Sequence, residues 1–337
     1  MAGSERRILI TGGAGFIGSN FVRFVMHERP RWRIVNYDAL TYAGNPANLA
    51  DVADDPRYEF VHGDIRDRDD LVHALSGCDS VVHFAAESHV DRSIADASPF
   101  VSTNVLGTQV LLDACRELGT IERFVHIGTD EVYGELPLDR PDLKFTEQTP
   151  LKPNSPYSAS KAAADLLALS YHTTFDLPVV VTRCSNNFGP YQYPEKVIPL
   201  FVTNLIDGQK VPLYGDGLNV RDWLHVIDHC EAVLAVLERG ELGEVYNIGG
   251  NNEQSNIKLT HTILDLIGCG KDMIQPVEDR LGHDRRYAID STKIQSELGW
   301  RATRSTWPEA LAQTIDWYKS NESWWRPLKQ RTSPTVA

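Results

Sequence analysis

The sequence predicts an α/β protein, a doubly wound parallel sheet with a smaller C-terminal α/β lobe. Three observations carry that expectation. Short apolar runs alternate with stretches of helical spacing through the first half of the chain. The first run, Arg7–Thr11, ends in a glycine cluster that opens a helical pattern. After about residue 185 the alternation loosens into short polar and Pro/Gly-containing pieces.

Taken in order, Arg7–Thr11 is a buried first strand, and residues 16–29 carry Phe16, Ile17, Phe21, Phe24 and Val25 at helical spacing. Runs at 34–37, 58–61, 80–84, 123–127 and 178–183 give five more strands; 66–77, 100–118 and 156–175 read as helices. Residues 1–185 are therefore expected to form the main domain, to which the chain returns around 222–250. Residues 186–221 and 250–330 are expected to form the smaller lobe. Trp307, Leu311, Ile315 and Tyr318 share one stripe of a last helix over 305–319. From residue 326 the chain reads as frayed, with a disordered tail at 331–337.

Composition narrows the function. The 337 residues are 42% hydrophobic and 23% charged, enough apolar material for a large core without staples. A net charge of −13 argues against non-specific nucleic-acid binding, while leaving room for a local basic cluster around an anionic small ligand. The five cysteines, at 78, 115, 184, 230 and 269, show no metal or redox spacing and read as reduced thiols. With no signal-peptide pattern and no run of 18 apolar residues, a cytoplasmic protein without membrane contact is expected. His225 and His229 share a helical face but lack a third ligand, so no metal is expected there or at His83 and His89. The crowded C-terminal tryptophans read as packing residues, and the acidic stretch Glu135 to Glu147 as an exposed loop over the site.

The chemistry begins at Gly12-Gly13-Ala14-Gly15-Phe16-Ile17-Gly18, between a strand and a helix. Glycines there let the backbone turn tightly and let a pyrophosphate approach the helix N-terminus, whose N–H groups and dipole favour anions. Asp38 ends the second strand 20 residues after Gly18, where a carboxylate can hold a ribose diol. A carboxylate repels a ribose phosphate, so NAD is favoured over NADP. The fold is accordingly expected to be Rossmann-like.

Tyr157 and Lys161 are the second signal. Positions i and i+4 share a helix face, and an ammonium beside a phenol is expected to lower its pKa toward neutrality. The third is Thr129-Asp130-Glu131 at the end of the fifth strand, where an open α/β sheet faces its ligand crevice. Adjacent carboxylates push their pKa values apart, so the pair can supply one proton donor and one acceptor. Which is which does not follow from the sequence.

Together these motifs resemble the extended short-chain dehydrogenase/reductase family, and within it the dTDP-glucose 4,6-dehydratase branch, over nearly the whole chain. Ala85-Ala-Glu-Ser-His-Val-Asp-Arg-Ser93, Ser185-Asn-Asn-Phe-Gly-Pro190, Arg221-Asp-Trp223 and Asp279-Arg-Leu-Gly-His283 add to the resemblance. Sugar epimerases of the superfamily share the glycines and the Tyr/Lys pair but lack the Asp-Glu dyad.

The resemblance implies a hydro-lyase with tightly held NAD acting on a nucleotide-linked glucose. It implies Tyr157 as the base at the carbon 4 hydroxyl, with Thr129 and Lys161 assisting, Glu131 as base at carbon 5 and Asp130 as acid at carbon 6. It implies cofactor contacts at Gly12, Gly15, Phe16, Ile17, Gly18, Asp38, Thr41, Asp64, Ile65, Ala85, Ala86, Ser88, Thr103, Tyr157, Lys161 and Asn186. Substrate contacts are implied at Ser88, Thr129, Asn187, Lys196, Val197, Pro212, Tyr214, Arg221, Asn256, Arg280, His283 and Tyr287. Arg221 and Arg280 are suited to clamp a diphosphate with forked donors. A homodimer through the helices at 100–118 and 156–175 is also implied.

Overall fold

The computed structural model describes residues 5–332. Its main sheet contains β1 (Arg7–Thr11), β2 (Arg33–Asp38), β3 (Tyr58–His62), β4 (Ser80–His83), β5 (Arg123–Thr129) and β6 (Val179–Cys184). After β7 (Asn186–Phe188), β8 (Val211–Tyr214) and β9 (Val220–His225), the chain adds a seventh strand, β10 (Val245–Ile248). The order is β10-β6-β5-β4-β1-β2-β3, with every pairing parallel. Strand order reverses between β1 and β4, which opens a crevice at the strands' C-terminal ends.

Both faces of the sheet are buried, which is why its strands are continuous apolar runs. Helices Phe16–Glu28 and Val226–Arg239 cover one face, over a core that includes Ile8, Ile10, Val82, Val125 and Val180. Helices Arg68–Leu75, Thr108–Leu118 and Pro156–Phe175 cover the other, over Leu9, Val35, Val81, Phe124 and Val181. The alternation in each strand thus sends successive residues to opposite cores.

The smaller lobe holds a three-stranded sheet, β7-β9-β11 with β11 at Glu253–Ser255, and a parallel pair of β8 with β12 (Ile274–Val277). Its core is aromatic, with Trp223, Tyr318 and Trp325 all buried. No helix among the described residues is long and apolar enough to cross a membrane.

Three details depart from the sequence reading. β10 is too short and mixed to stand out as a strand, yet it completes the main sheet. The helix expected over 100–118 starts at Ser98 and runs as a seven-residue π-helix, Val101–Gly107, before becoming α-helical. The segment expected to fray from 326 instead belongs to helix Glu322–Thr332, anchored by buried Trp325 and Leu328 and by Arg326 and Lys329 on Asp207. Residues 333–337 of the expected tail lie outside the described residues.

Candidate active site

A cavity of about 420 Å³ occupies the crevice, and all sixteen positions implied for the cofactor line it, from Gly12 to Asn186. At its floor the backbone leaves β1 through Gly12, whose φ of +70° suits glycine. A Cβ on Gly18 would lie 2.2 Å from the Gly12 carbonyl oxygen, so no side chain fits between turn and helix. The N-terminus of helix Phe16–Glu28 therefore opens onto the cavity with its backbone unobstructed.

Asp38 is fixed by two N–H donors, Ala14 to Oδ2 at 2.9 Å and Leu40 to Oδ1 at 2.8 Å. Burial still pushes its pKa up against those bonds. On the opposite wall Asn186 Oδ1 is buried without a partner. A bare helix N-terminus, a fixed carboxylate at the end of β2 and an unpaired amide oxygen suit the pyrophosphate, ribose and amide of NAD.

The reacting end is built by β5 and helix Pro156–Phe175. Thr129 ends β5 and caps the 3-10 turn Asp130–Tyr133, its hydroxyl accepting the Glu131 N–H at 3.3 Å. The helix starts at Ser155, whose hydroxyl accepts the Ser158 N–H at 3.1 Å, and it carries Tyr157 and Lys161 into the cavity. Lys161 Nζ donates to the Ile127 carbonyl at 2.6 Å. One turn further, buried Asp165 accepts from Arg183 Nε at 2.8 Å and lies 3.2 Å from His126 Nε2.

The two carboxylates are in different fields. Burial raises the Asp130 carboxyl well above its ordinary value, and Glu131 and Asp222 add to the rise. Burial also raises Glu131, but Arg221, Arg280 and Lys196 pull it back. Of the two, Asp130 is the carboxyl pushed further toward its protonated form.

Tyr157 corrects an expectation. Its pKa is not drawn toward neutrality; burial, then Glu131 and Cys184, push it well above 10.0, and only a hydrogen bond from Thr129 among the leading influences opposes them. The ammonium of Lys161 is engaged by the Ile127 carbonyl, and burial lowers its own pKa.

The family profile described as GDP-mannose 4,6 dehydratase matches residues 9–312. A dTDP-glucose 4,6-dehydratase of Streptomyces niveus is 53% identical over 333 residues, 98% of this chain and 97% of that one. One from Streptomyces antibioticus is 55% identical over 335 residues, again 98% and 97%. The crystal structure of DesIV, a dTDP-glucose 4,6-dehydratase from Streptomyces venezuelae with NAD and TYD bound, superposes with a TM-score of 0.92. It is 54% identical and covers 96% of this chain and 99% of that one. The chain belongs to the extended short-chain dehydrogenase/reductase family, in its dTDP-glucose 4,6-dehydratase branch.

A Thermus thermophilus UDP-glucose 4-epimerase, in complex with NAD, also superposes with a TM-score of 0.85 at 30% identity, covering 94% of this chain and 99% of that one. The scaffold therefore does not separate dehydratase from epimerase; the side chains must.

In this dehydratase-family chain Ser88, Thr129, Asn187 and Lys196 line the cavity, with Lys196 Nζ donating to the Ser88 carbonyl at 2.9 Å. The Asn187 amide is used internally, Nδ2 on the Ser185 carbonyl at 3.0 Å and Oδ1 3.0 Å from His229 Nδ1. Arg221 does not offer an open fork: Nη1 donates to Val220 O at 2.8 Å, Nη2 to Asp284 O at 2.9 Å, and its guanidinium lies 4.3 Å over the Tyr287 ring. Arg280 keeps more freedom, with Nη1 3.6 Å from Asp91 Oδ1 and a buried, unpartnered Nε.

His283 pairs with Asp279 at 2.6 Å and meets the half-exposed Tyr214 ring edge-on. Val197 and Asn256 begin helices Val197–Ile206 and Asn256–Ile267 and Pro212 sits on β8; neither these three nor Tyr214, Arg221, Arg280, His283 and Tyr287 line the cavity.

Tyr42, Tyr193 and Glu195 line the cavity and were not singled out as contacts by sequence; Glu87, which also lines it, belongs to the Ala85 to Ser88 turn that was. Of those three, Glu195 carried a signal in its adjacency to Lys196. The acidic loop expected to lie exposed is mostly exposed, and it is also tied down. Arg286 donates to the carbonyls of Arg140, Pro141 and Leu143, each at 3.1 Å, Glu147 accepts the Asn247 N–H at 2.9 Å, and Leu136 and Phe145 are buried.

Proposed function

We propose that this protein converts dTDP-glucose to dTDP-4-keto-6-deoxyglucose. The observation that supports it best is the unequal field around Asp130 and Glu131, at the end of β5 beside Tyr157 and Lys161. An epimerase needs no such pair.

Gly12, Gly15 and Gly18 would hold the pyrophosphate of NAD, Asp38 a ribose diol, and Lys161 the other ribose. When bound, NAD would supply the hydride acceptor and donor that the changes at carbons 4 and 6 require. The phenol of Tyr157, its pKa raised by burial in the protein alone, would need the positive charge of bound NAD to favour its phenolate; it would then take the proton of the carbon 4 hydroxyl, with Thr129 orienting that oxygen. The resulting ketone acidifies the hydrogen on carbon 5, and Glu131, raised by burial but pulled back by three cations, removes it. Asp130, kept protonated by burial, protonates the departing carbon 6 hydroxyl. Arg280, with Arg221 behind it, balances the diphosphate.

The chain acts as a homodimer in the cytoplasm. Ile94, Val101, Leu106, Leu166 and Phe175, on or beside the two implied helices, leave apolar side chains exposed, a surface a monomer would not keep. Light scattering should give twice the chain mass, and a stable monomer at micromolar concentration argues against it. The activity is tested by incubating the purified protein with dTDP-glucose without added NAD and reading the alkali-induced absorbance of a 4-keto sugar. No signal, with UDP- or CDP-glucose turned over instead, overturns the substrate assignment.

A further inference from the structure

We propose that Tyr133 is a positioning residue for the dehydration half of the reaction: its hydroxyl, held by Arg183 and Asn247, aims the turn that carries Asp130 and Glu131. The inference rests on the dehydratase reading. Tyr133 closes the 3-10 turn Asp130–Tyr133 and is buried. Side chains three apart lie on one edge of a 3-10 turn, so Asp130 and Tyr133 share an edge that Glu131 does not. The turn's own bonds are long. The Gly134 N–H reaches the Glu131 carbonyl at 3.3 Å, and Thr129 Oγ1 accepts the Glu131 N–H at the same distance. From outside, the Lys152 N–H donates to the Val132 carbonyl at 3.0 Å.

The phenol adds a firmer anchor. It donates to Asn247 Oδ1 at 2.8 Å and accepts from Arg183 Nη1 at 3.0 Å. Arg183 sits between the two neighbouring strands, opposite Asn247 on β10 and opposite Gly128 on β5. Its Nε donates to Asp165 Oδ2 at 2.8 Å, and Asp165 follows Lys161 by one turn of helix Pro156–Phe175. One guanidinium thus ties the turn of the carboxylate pair to the helix of Tyr157 and Lys161. Tyr133, Arg183, Asp165 and Asn247 are all buried, and none lines the cavity.

Packing alone does not require such a cluster. Apolar side chains of the same volume would fill the space without desolvating a carboxylate and a guanidinium. A fully paired polar network instead holds one geometry. Its effect is visible at Asp130, which lines the cavity with Oδ2 buried and without a donor. A turn free to rotate would carry that oxygen to water, so the anchor is what keeps the acid dry.

The test uses the holoenzyme and dTDP-6-deoxyglucose. This sugar has a carbon 4 hydroxyl to oxidise and a carbon 5 hydrogen to exchange, but no carbon 6 hydroxyl to lose. Oxidation is read in a single turnover from the absorbance of the reduced cofactor. Exchange with solvent deuterium at carbon 5 is read by NMR of the recovered sugar. Tyr133→Phe keeps the ring stacked on Phe145 at 5.1 Å and should lower the ratio of exchange to oxidation roughly 10- to 100-fold. A smaller folded fraction lowers both rates and leaves their ratio alone, so a merely structural role does not move it. With dTDP-glucose, kcat should fall while KM stays near that of wild type.

Arg183→Lys keeps a charge opposite Asp165 but loses the forked second N–H for the phenol, and it should shift the ratio in the same direction. It carries the test if Tyr133→Phe does not fold. A wild-type ratio in these variants overturns the proposal, as does a loss confined to oxidation. Failure of the wild type on dTDP-glucose overturns the dehydratase reading, whereas an active wild type with an unmoved ratio in the variants overturns only the role of Tyr133.

Discussion

Asp130 and Glu131 are neighbours in sequence but sit in unequal electrostatic surroundings: Asp130 feels Glu131 and Asp222 against Arg221 alone, whereas Glu131 feels Arg221, Arg280 and Lys196 against Asp284. The 3-10 turn is what separates them, by sending consecutive side chains in different directions. This asymmetry supports the proposal of Asp130 as acid and Glu131 as base, and two variants can test it. Glu131→Gln should stop exchange of the carbon 5 hydrogen with solvent deuterium while some hydride exchange at carbon 4 survives. Asp130→Asn should keep carbon 5 exchange and lose water elimination, each step slowed about 100-fold or more. The reverse pattern, read by NMR of recovered sugar, means the roles are exchanged.

The buried acid also burdens the fold. The Asp130 carboxyl, raised above its ordinary 3.8, holds its proton in the folded chain at pH values where the unfolded chain releases it. Its contribution is fully present below about pH 3.8 and is lost as pH rises through the folded-state pKa. Asp130→Asn removes that loss, so the variant should melt higher than wild type at neutral pH. About 1 kcal/mol would give roughly 1–2 °C in a protein of this size. The gain should vanish in acid; calorimetry at pH 7 and pH 4 checks it, and a variant less stable at both contradicts it.

The glycine turn makes a steric prediction. Ala at position 18 would press its Cβ against the Gly12 carbonyl at 2.2 Å, an atom of backbone that cannot rotate away. Gly18→Ala should therefore move the turn and weaken cofactor retention about 10-fold or more, roughly 1.4 kcal/mol. The NAD content of protein recovered from gel filtration reports it. Full occupancy in the variant would show that the turn tolerates the shift.

The sequence carried the six strands whose residues face two cores, the glycine turn and the cofactor wall, because each rests on local spacing. It did not carry β10, whose four residues gain their meaning only by pairing with β6. Nor did it carry the π-helical stretch Val101–Gly107, which depends on how Asn104 reaches Glu87 and Ser160. The Tyr157 shift was misread because a helix wheel places Lys161 nearby but cannot show how deeply the phenol is buried or that Glu131 bears on it. Arg221 was misread for the same reason: its motif is local, its carbonyl partners are not.

The last helix shows the same division. Pro327 and the polar residues around it conceal a helix end whose anchor is Trp325, fully buried, with its indole N–H on the Tyr318 carbonyl at 2.9 Å. Trp325→Ala should cost about 3–5 kcal/mol, the usual loss for a buried aromatic. Urea unfolding should show it. An unchanged midpoint would mean that the helix contributes little to the lobe it covers.

Asp165 stands behind the reacting groups without touching the cavity. Its carboxylate joins Arg183 and His126 beneath Gly128, where a Cβ would come within 2.9 Å of Oδ1. Burial alone would raise its pKa, but His126, Arg183 and Lys161 together bring it below the ordinary value. Its stabilisation is therefore present above the unfolded carboxylate pKa and fades as pH falls through the lower folded value. Removing one partner of such a cluster leaves the buried Arg183 charge uncompensated, so Asp165→Ala should cost about 3–5 kcal/mol at neutral pH. The penalty should shrink in acid, where wild type loses the same interaction, and thermal melts from pH 7 downward would show the two curves converging. Parallel curves would mean that Asp165 supports the helix of Tyr157 and Lys161 by packing and not by charge.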